Sequence, residues 1–217
     1  MSNEDISEKV NSALEDVRKA YRLLWLYQRR IFDICQEIGK QFKETEFYYT
    51  HYYYGGLPRR DPFKDQLWRM LPMSQINFLY LKHADASVYP NGDWNNFPLK
   101  GDYLIDLYVI SDTGLTNYSG KGEPDPTKFA TVIESKSQLS IYIILNDLDR
   151  KNTNWYYNIW NTAYYPDHDT SKLHDKFEGV HLYGYIFNLK EMYSFDAITK
   201  CVEHFKENVI KNLGVDL

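Results

Sequence analysis

Three ionisable residues in the middle of the chain have the types and spacing of a metal-dependent phosphodiesterase site. Asp106 lies in the alternating stretch 103–111, which predicts a β-strand, and Glu134 and Lys136 lie at the end of a second predicted strand, 129–135. Residues two apart on a strand share a face. Two carboxylates at a sheet edge would hold Mg²⁺, and a nearby lysine would orient a water or stabilise charge on phosphorus. Asp106, Glu134 and Lys136 are therefore candidate catalytic residues, with Asp106 and Glu134 as metal ligands.

This arrangement resembles the motif of the PD-(D/E)xK nucleases, with Asp106 as the first carboxylate and Glu134-Ser135-Lys136 as the E-x-K element. The resemblance implies a Mg²⁺-dependent nuclease or phosphodiesterase. It rests on three residues between 106 and 136. The proline of the motif is absent, since Ile105 precedes Asp106. The alternative is structural: Glu134 and Lys136 would lie on a solvated strand face, and Asp106 would pair across the sheet.

Aromatic residues form a second kind of candidate site. The chain has 20 tyrosines, 11 phenylalanines and five tryptophans, and many of them cluster at 48–54 and 154–165 beside arginine and asparagine. Such rings suit stacking of a base, a nucleotide or a sugar, and they equally suit a protein interface. They would otherwise fill space between the sheet and its loops. The predicted ligand- or partner-binding residues are Tyr49, Tyr52, Tyr53, Arg59, Arg60, Trp155, Tyr156, Tyr157 and Trp160.

Composition excludes several classes of function. The chain of 217 residues is 43% hydrophobic and 25% charged, with a net charge of −5, which argues against an overall basic nucleic-acid binder. No stretch approaches the roughly 20 apolar residues of a membrane span. The phosphate-loop, dinucleotide-binding and zinc-protease motifs are absent from the sequence. The polar, acidic N-terminus and the two cysteines predict a cytoplasmic protein without a disulfide framework, and no cofactor is expected beyond Mg²⁺ in the nuclease hypothesis.

The clearest predicted element is a long amphipathic helix over 5–42. Its apolar residues recur at alternating steps of three and four, from Ile6 through Val10, Val17 and Leu24 to Phe42. At 1.5 Å per residue, about 37 residues extend roughly 55 Å, beyond the radius of gyration of about 17 Å expected for a compact chain of this size. The helix would therefore project and pair with a second copy or another protein, or it would serve as one long core helix of a monomer.

The rest of the chain predicts an α+β fold in a single domain, 1–217. A β-rich core over 74–190, with a mixed or antiparallel sheet of four to five strands and long aromatic loops, precedes a C-terminal helix over 194–214 that packs on the sheet. The favoured function is a binding or interaction protein. It would be oligomeric through the N-terminal helix, with a nucleotide, a nucleic acid or a protein at the tyrosine-rich loops and no membrane contact. The alternative is the Mg²⁺-dependent phosphodiesterase.

Overall fold

The computed structural model describes residues 3–52, 74–82, 95–117 and 125–217. The chain divides into two compact units, Met1–Gln36 and Glu37–Leu217. Helix α1, Asn3–Lys40, makes up the first unit and continues into the second. Its 38 residues confirm the predicted long helix and give it a length of about 57 Å.

The second unit is built on one six-stranded sheet. Its strands are β1 (Thr45–Tyr52), β2 (Gln75–Lys82), β3 (Tyr103–Ile110), β4 (Gln138–Asn146), β5 (Thr170–Leu173) and β6 (Val180–Asn188). Every pair is antiparallel and the order is β1-β2-β3-β4-β6-β5. The α+β class is confirmed, but the predicted count of four to five strands is too low. The missed strand, β5, has only four residues and little apolar pattern, so its sequence carries no strand signal.

One predicted strand is wrong. Residues 129–135 form no strand, and Thr131–Ser135 is instead a tight turn in which the backbone amides of Glu134 and Ser135 donate to the Thr131 carbonyl. Val132 and Ile133, whose apolar character suggested the strand, are 90% and 96% exposed. The strand begins at Gln138, where the chain pairs with β3 and β6.

A short helix, α2 (Thr113–Thr116), follows β3, and the C-terminal helix α3, Phe195–Leu213, packs on one face of the sheet, as predicted. Ser194 caps it by accepting a hydrogen bond from the Ala197 amide, and Gly214 ends it in the left-handed conformation at φ 69°. The Phe205 ring lies 5.6 Å from that of Tyr183 on β6 and 6.1 Å from that of Phe42. The apolar stripe of α3 thus supplies the core on this side.

The segment 154–165 covers the other face of the sheet. Asn154 caps a π-helical turn, Trp155–Ile159, which is followed by a 3₁₀ turn, Trp160–Thr162. The buried side chains of this layer form one cluster with the sheet: Leu79, Leu81, Leu104, Ile144, Trp155, Ile159, Trp160, Val180 and Leu182. This aromatic layer encloses the middle of β3, where Asp106 lies.

Candidate functional site

Asp106 lies at the centre of the sheet and is fully buried. On β3 it pairs with Leu79 of β2 and Tyr142 of β4. Its Oδ2 accepts hydrogen bonds from Trp160 Nε1 at 2.7 Å and from the Tyr165 hydroxyl at 2.5 Å. Its Oδ1 accepts one from Asn77 Nδ2 at 2.7 Å. Three donors, one on β2 and two on the segment 154–165, therefore converge on one carboxyl group.

Burial raises the pKa of Asp106 to about 6, and the three hydrogen bonds, from Trp160, Tyr165 and Asn77, act in the opposite direction. The Tyr165 ring is stacked on Tyr142 with its centroid at 4.2 Å. Its hydroxyl also accepts from Asn77 at 3.0 Å. The network fixes the segment 154–165 against the sheet and encloses the carboxyl group of Asp106, whose side chain is 0% exposed.

Glu134 and Lys136 lie on the exposed surface. Glu134 Oε2 accepts from the Thr131 hydroxyl at 2.8 Å and the Thr131 amide at 3.2 Å, and these bonds lower the pKa of Glu134. Both residues precede β4, whereas Asp106 pairs with Tyr142 well inside that strand. The structure therefore does not bring the three predicted catalytic residues onto one open surface. Within the ranges that the structure describes, no group of three or more His, Cys, Asp or Glu side chains could hold a metal ion.

The predicted aromatic site residues divide between core and surface. Trp155 and Trp160 are 0% and 5% exposed and belong to the core, so neither is part of a recognition surface. Tyr157 is 70% exposed. Tyr53, Arg59 and Arg60 lie outside the described residues.

Strand β1 places its two exposed tyrosines on opposite faces. Tyr49 pairs with Leu79, on the face that holds Asp106, whereas Tyr52 pairs with Ile76, on the α3 side. Both side chains are exposed, but only Tyr49 can meet the segment 154–165.

Tyr49, Tyr156 and Tyr157 form a continuous surface that we call the tyrosine patch. The Tyr156 ring lies 4.5 Å from that of Tyr49 and 5.1 Å from that of Tyr157. It is stacked on the buried Trp160 at 5.1 Å, and its hydroxyl is 2.8 Å from His51 Nδ1. Burial lowers the pKa of His51 and raises that of Tyr156. The buried tryptophan therefore holds Tyr156 in place, and Tyr49 and Tyr157 present their rings to solvent.

The predicted site residues do not include Asn77, His51 or Tyr165, although His51 and Tyr165 lie within the predicted aromatic clusters 48–54 and 154–165. Asn77 carried a usable signal, since it is a polar residue within the apolar stretch 76–81 and is fully buried. The partners of His51 and Tyr165 could not be predicted, because these contacts join segments more than 50 residues apart.

The N-terminal part of α1 exposes a long apolar surface. We define the α1 stripe as Ile6, Val10, Ala13, Leu14, Val17, Ala20, Tyr21 and Leu24. All of its members are exposed except Leu24, which is half-buried. Val10 and Val17 are 51% and 49% exposed, and full burial begins only at Ile31. Salt bridges such as Lys19 to Glu15, at 3.0 Å, lie on the opposite side of the helix.

Comparison with known proteins places the chain in a family. No helix among the described residues has both the length and the apolar character needed to cross a membrane. No solved structure gives a significant match. The chain is similar to the uncharacterised protein PM0109 of Pasteurella multocida strain Pm70, at 29% identity over 212 residues, which are 95% of this chain and 97% of that protein. The model of the family described as PM0109 matches residues 7–214. The chain therefore belongs to the PM0109 family.

Proposed function

We propose that this protein is an interaction protein that associates with another polypeptide through the α1 stripe. The observation that carries the proposal is the exposure of the apolar side chains of the stripe from Ile6 to Tyr21. Large contiguous apolar surfaces of this kind mark interaction sites. An amphipathic helix gains most of its stability from packing its apolar face, so the stripe is expected to be covered in the assembled protein.

The spacing of the stripe favours a helical partner. Apolar residues at alternating steps of three and four keep one seam facing a second helix, and each side chain can insert between four residues of that helix. Full burial of a valine or leucine side chain contributes about 1.5–3 kcal/mol relative to full exposure. Val10, Leu14 and Val17 are each about half exposed, so each can contribute about half of that on association.

The proposal can be tested by photo-crosslinking in cells that express the full chain. Val17, on the stripe, and Leu26, on the opposite side of α1, would each be replaced by a photo-reactive phenylalanine. We expect a protein adduct from position 17 and none from position 26, and we expect Leu14→Glu to remove the adduct. The matched control is Leu26→Glu, because Leu14 and Leu26 are 49% and 56% exposed. The same yield of adduct from both positions, or none from position 17, would contradict the proposal.

The tyrosine patch supports a second candidate function, recognition of a ring-containing ligand such as a nucleotide. The specific observation is the continuous ring contact from Tyr49 through Tyr156 to Tyr157, with the two outer rings open to solvent. Stacking on such rings contributes about 1–3 kcal/mol per base and tolerates different bases.

Nucleotide titration followed by intrinsic fluorescence tests this second function. We expect Tyr157→Ala to weaken binding of AMP or of a short single-stranded oligonucleotide about tenfold or more, as loss of one stacked ring implies. Tyr193→Ala is the control, since Tyr193 is 80% exposed and lies outside the patch. Equal affinities for the wild type and both variants, or the absence of binding, would refute it.

A further inference from the structure

We infer that the helix covering the α1 stripe is α1 of a second copy of this chain, lying antiparallel to the first. The inference rests on the proposed function and deepens it by naming the partner and its direction. Two independent features of α1 support it: the distribution of charge along the helix and the order of small and large residues along the stripe.

Charge is strongly polarised along α1. Residues 6–16 contain three acidic residues and one lysine, a net charge of −2, whereas residues 17–30 contain five basic residues and no acidic one, a net charge of +5. Packed helices lie 8–10 Å apart, about one Debye length at physiological ionic strength, so these charges interact across a pair. A parallel pair would set the +5 segment beside its copy. An antiparallel pair sets it beside the −2 segment, which favours that direction.

The order of residue sizes specifies a register. In antiparallel packing, stripe positions whose numbers add to 37 face each other. Ala13 then faces the partner's Leu24, and Val17 faces the partner's Ala20. Each layer combines a small residue with a larger one, as well-filled helix pairs require. A parallel, in-register pair would instead set Ala13 against the partner's Ala13, which leaves a gap, and Tyr27 against the partner's Tyr27, which crowds the seam.

The antiparallel seam has a defined extent. It runs from Val10 to Tyr27, a length of about 27 Å, and is symmetric about the midpoint between residues 18 and 19. The seam ends at Tyr27 because Ile31, the next apolar residue at this spacing, is only 1% exposed and cannot pack on a second copy. The pair is isologous, which means that both copies use the same surface. It is therefore complete with two copies and leaves no unpaired surface that could extend it into a filament.

Disulfide crosslinking of mixed variants tests the direction. In the full chain, with Cys35 and Cys201 replaced by alanine, Ala13→Cys and Leu24→Cys would be made as separate proteins. Facing positions in a helix pair bring Cα atoms within the 4.4–6.8 Å that a disulfide requires. Under mild oxidation we expect the mixture to form at least tenfold more crosslinked dimer than either protein alone. Leu26 lies on the opposite side of α1, so Leu26→Cys mixed with Ala13→Cys gives the baseline amount of crosslinking from random collisions.

The outcomes separate this inference from the proposed function. Crosslinking of Ala13→Cys with itself would show a parallel pair; it would overturn the inference and leave association through α1 intact. A monomeric mass with crosslinking no higher than the baseline would overturn self-pairing, and the photo-crosslinking experiment then decides whether another protein covers the stripe. Val10→Cys mixed with Tyr27→Cys repeats the test at a second layer of the seam, where Val10 is exposed and Tyr27, like Leu24, is half-buried. Circular dichroism confirms that each variant is folded.

Discussion

Replacement of Asp106 by asparagine isolates the energetic role of the buried carboxyl group. The amide keeps the size of the side chain and an oxygen that can accept from Trp160 and Tyr165. Its NH₂ group would face Asn77, whose Oδ1 is buried and has no hydrogen-bond partner among the described residues. Rotation of the Asn77 amide would bring that oxygen to the new donor. We therefore expect Asp106→Asn to fold, whereas Asp106→Leu, which removes the acceptor of the buried Trp160 and Asn77 donors and of the half-buried Tyr165 hydroxyl, should lose about 3–5 kcal/mol.

The raised pKa of Asp106 determines whether the free energy of unfolding rises or falls with pH. The pKa of Asp106 is about 6 in the folded protein and near 3.8 in an unfolded chain. Below pH 3.8 both states hold the proton, and the protonated carboxyl makes its full contribution to stability. As the pH rises toward 6 the unfolded state releases its proton first, so the free energy of unfolding falls; above 6 it stays level. At 1.36 kcal/mol per unit, the loss between pH 4 and pH 7 is about 2–3 kcal/mol.

Urea unfolding of the wild type and Asp106→Asn, followed by tryptophan fluorescence from pH 4 to pH 8, measures this quantity. Other groups titrate alike in the two proteins, so the difference between their free energies of unfolding reports on Asp106 alone. We expect the wild type to lose about 2–3 kcal/mol relative to Asp106→Asn between pH 4 and pH 7. If the difference in the free energy of unfolding does not change with pH, the carboxyl group is not enclosed as described. If the wild type instead gains stability relative to Asp106→Asn as the pH rises, the hydrogen bonds outweigh the effect of burial on the pKa.

Three further predictions concern the sheet, α3 and the nuclease hypothesis. Gly184→Ala should lower the free energy of unfolding by about 1–3 kcal/mol in urea melts, since its Cβ would overlap the Tyr142 ring; an unchanged midpoint would contradict this packing. Ser194→Ala should cost about 1 kcal/mol by the same assay, whereas Ser194→Asp, which keeps an acceptor at the cap, should not; equal losses would argue against the capping bond. In Mn²⁺ titrations, Glu134→Gln and Asp106→Asn should bind the metal as the wild type does. Glu134 is exposed and Asp106 is enclosed, so the two carboxylates cannot hold one metal ion together. Loss of one tight Mn²⁺ site in both variants would instead support the phosphodiesterase hypothesis.

The helices and most strands were predictable because local chemistry specifies them. The three- and four-residue steps of α1, the caps Ser194 and Gly214 of α3, and the alternation of β3 are all written in short stretches of sequence. The turn at 131–135 was not, because Val132 and Ile133 have strand propensity but pair with no strand in the part of the chain that the structure describes. Their propensity was overridden by the hydrogen bonds of the turn.

The candidate site was only partly accessible to sequence reasoning. Asp106 was predicted as a catalytic carboxylate and metal ligand in the nuclease hypothesis, and as a residue that pairs across the sheet in the other. Its hydrogen-bond partners are distant in sequence, so its enclosure was not foreseeable. The many aromatic residues at 154–165 likewise did not indicate which of them are buried, such as Trp160, and which are exposed, such as Tyr157. That division depends on the π-helical turn, whose irregular period has no sequence signature here.

Light scattering of the purified chain at rising concentration tests most directly whether the α1 stripe is an interface. We expect the wild type to approach twice the monomer mass of 25.8 kDa, Leu26→Glu to behave in the same way, and Leu14→Glu to remain monomeric with unchanged helix content. An exposed leucine can be changed without loss of fold, so such a result would locate the contact on the stripe. A wild type that stays at 25.8 kDa at every concentration, or a Leu14→Glu variant that assembles like it, would contradict self-association through this stripe.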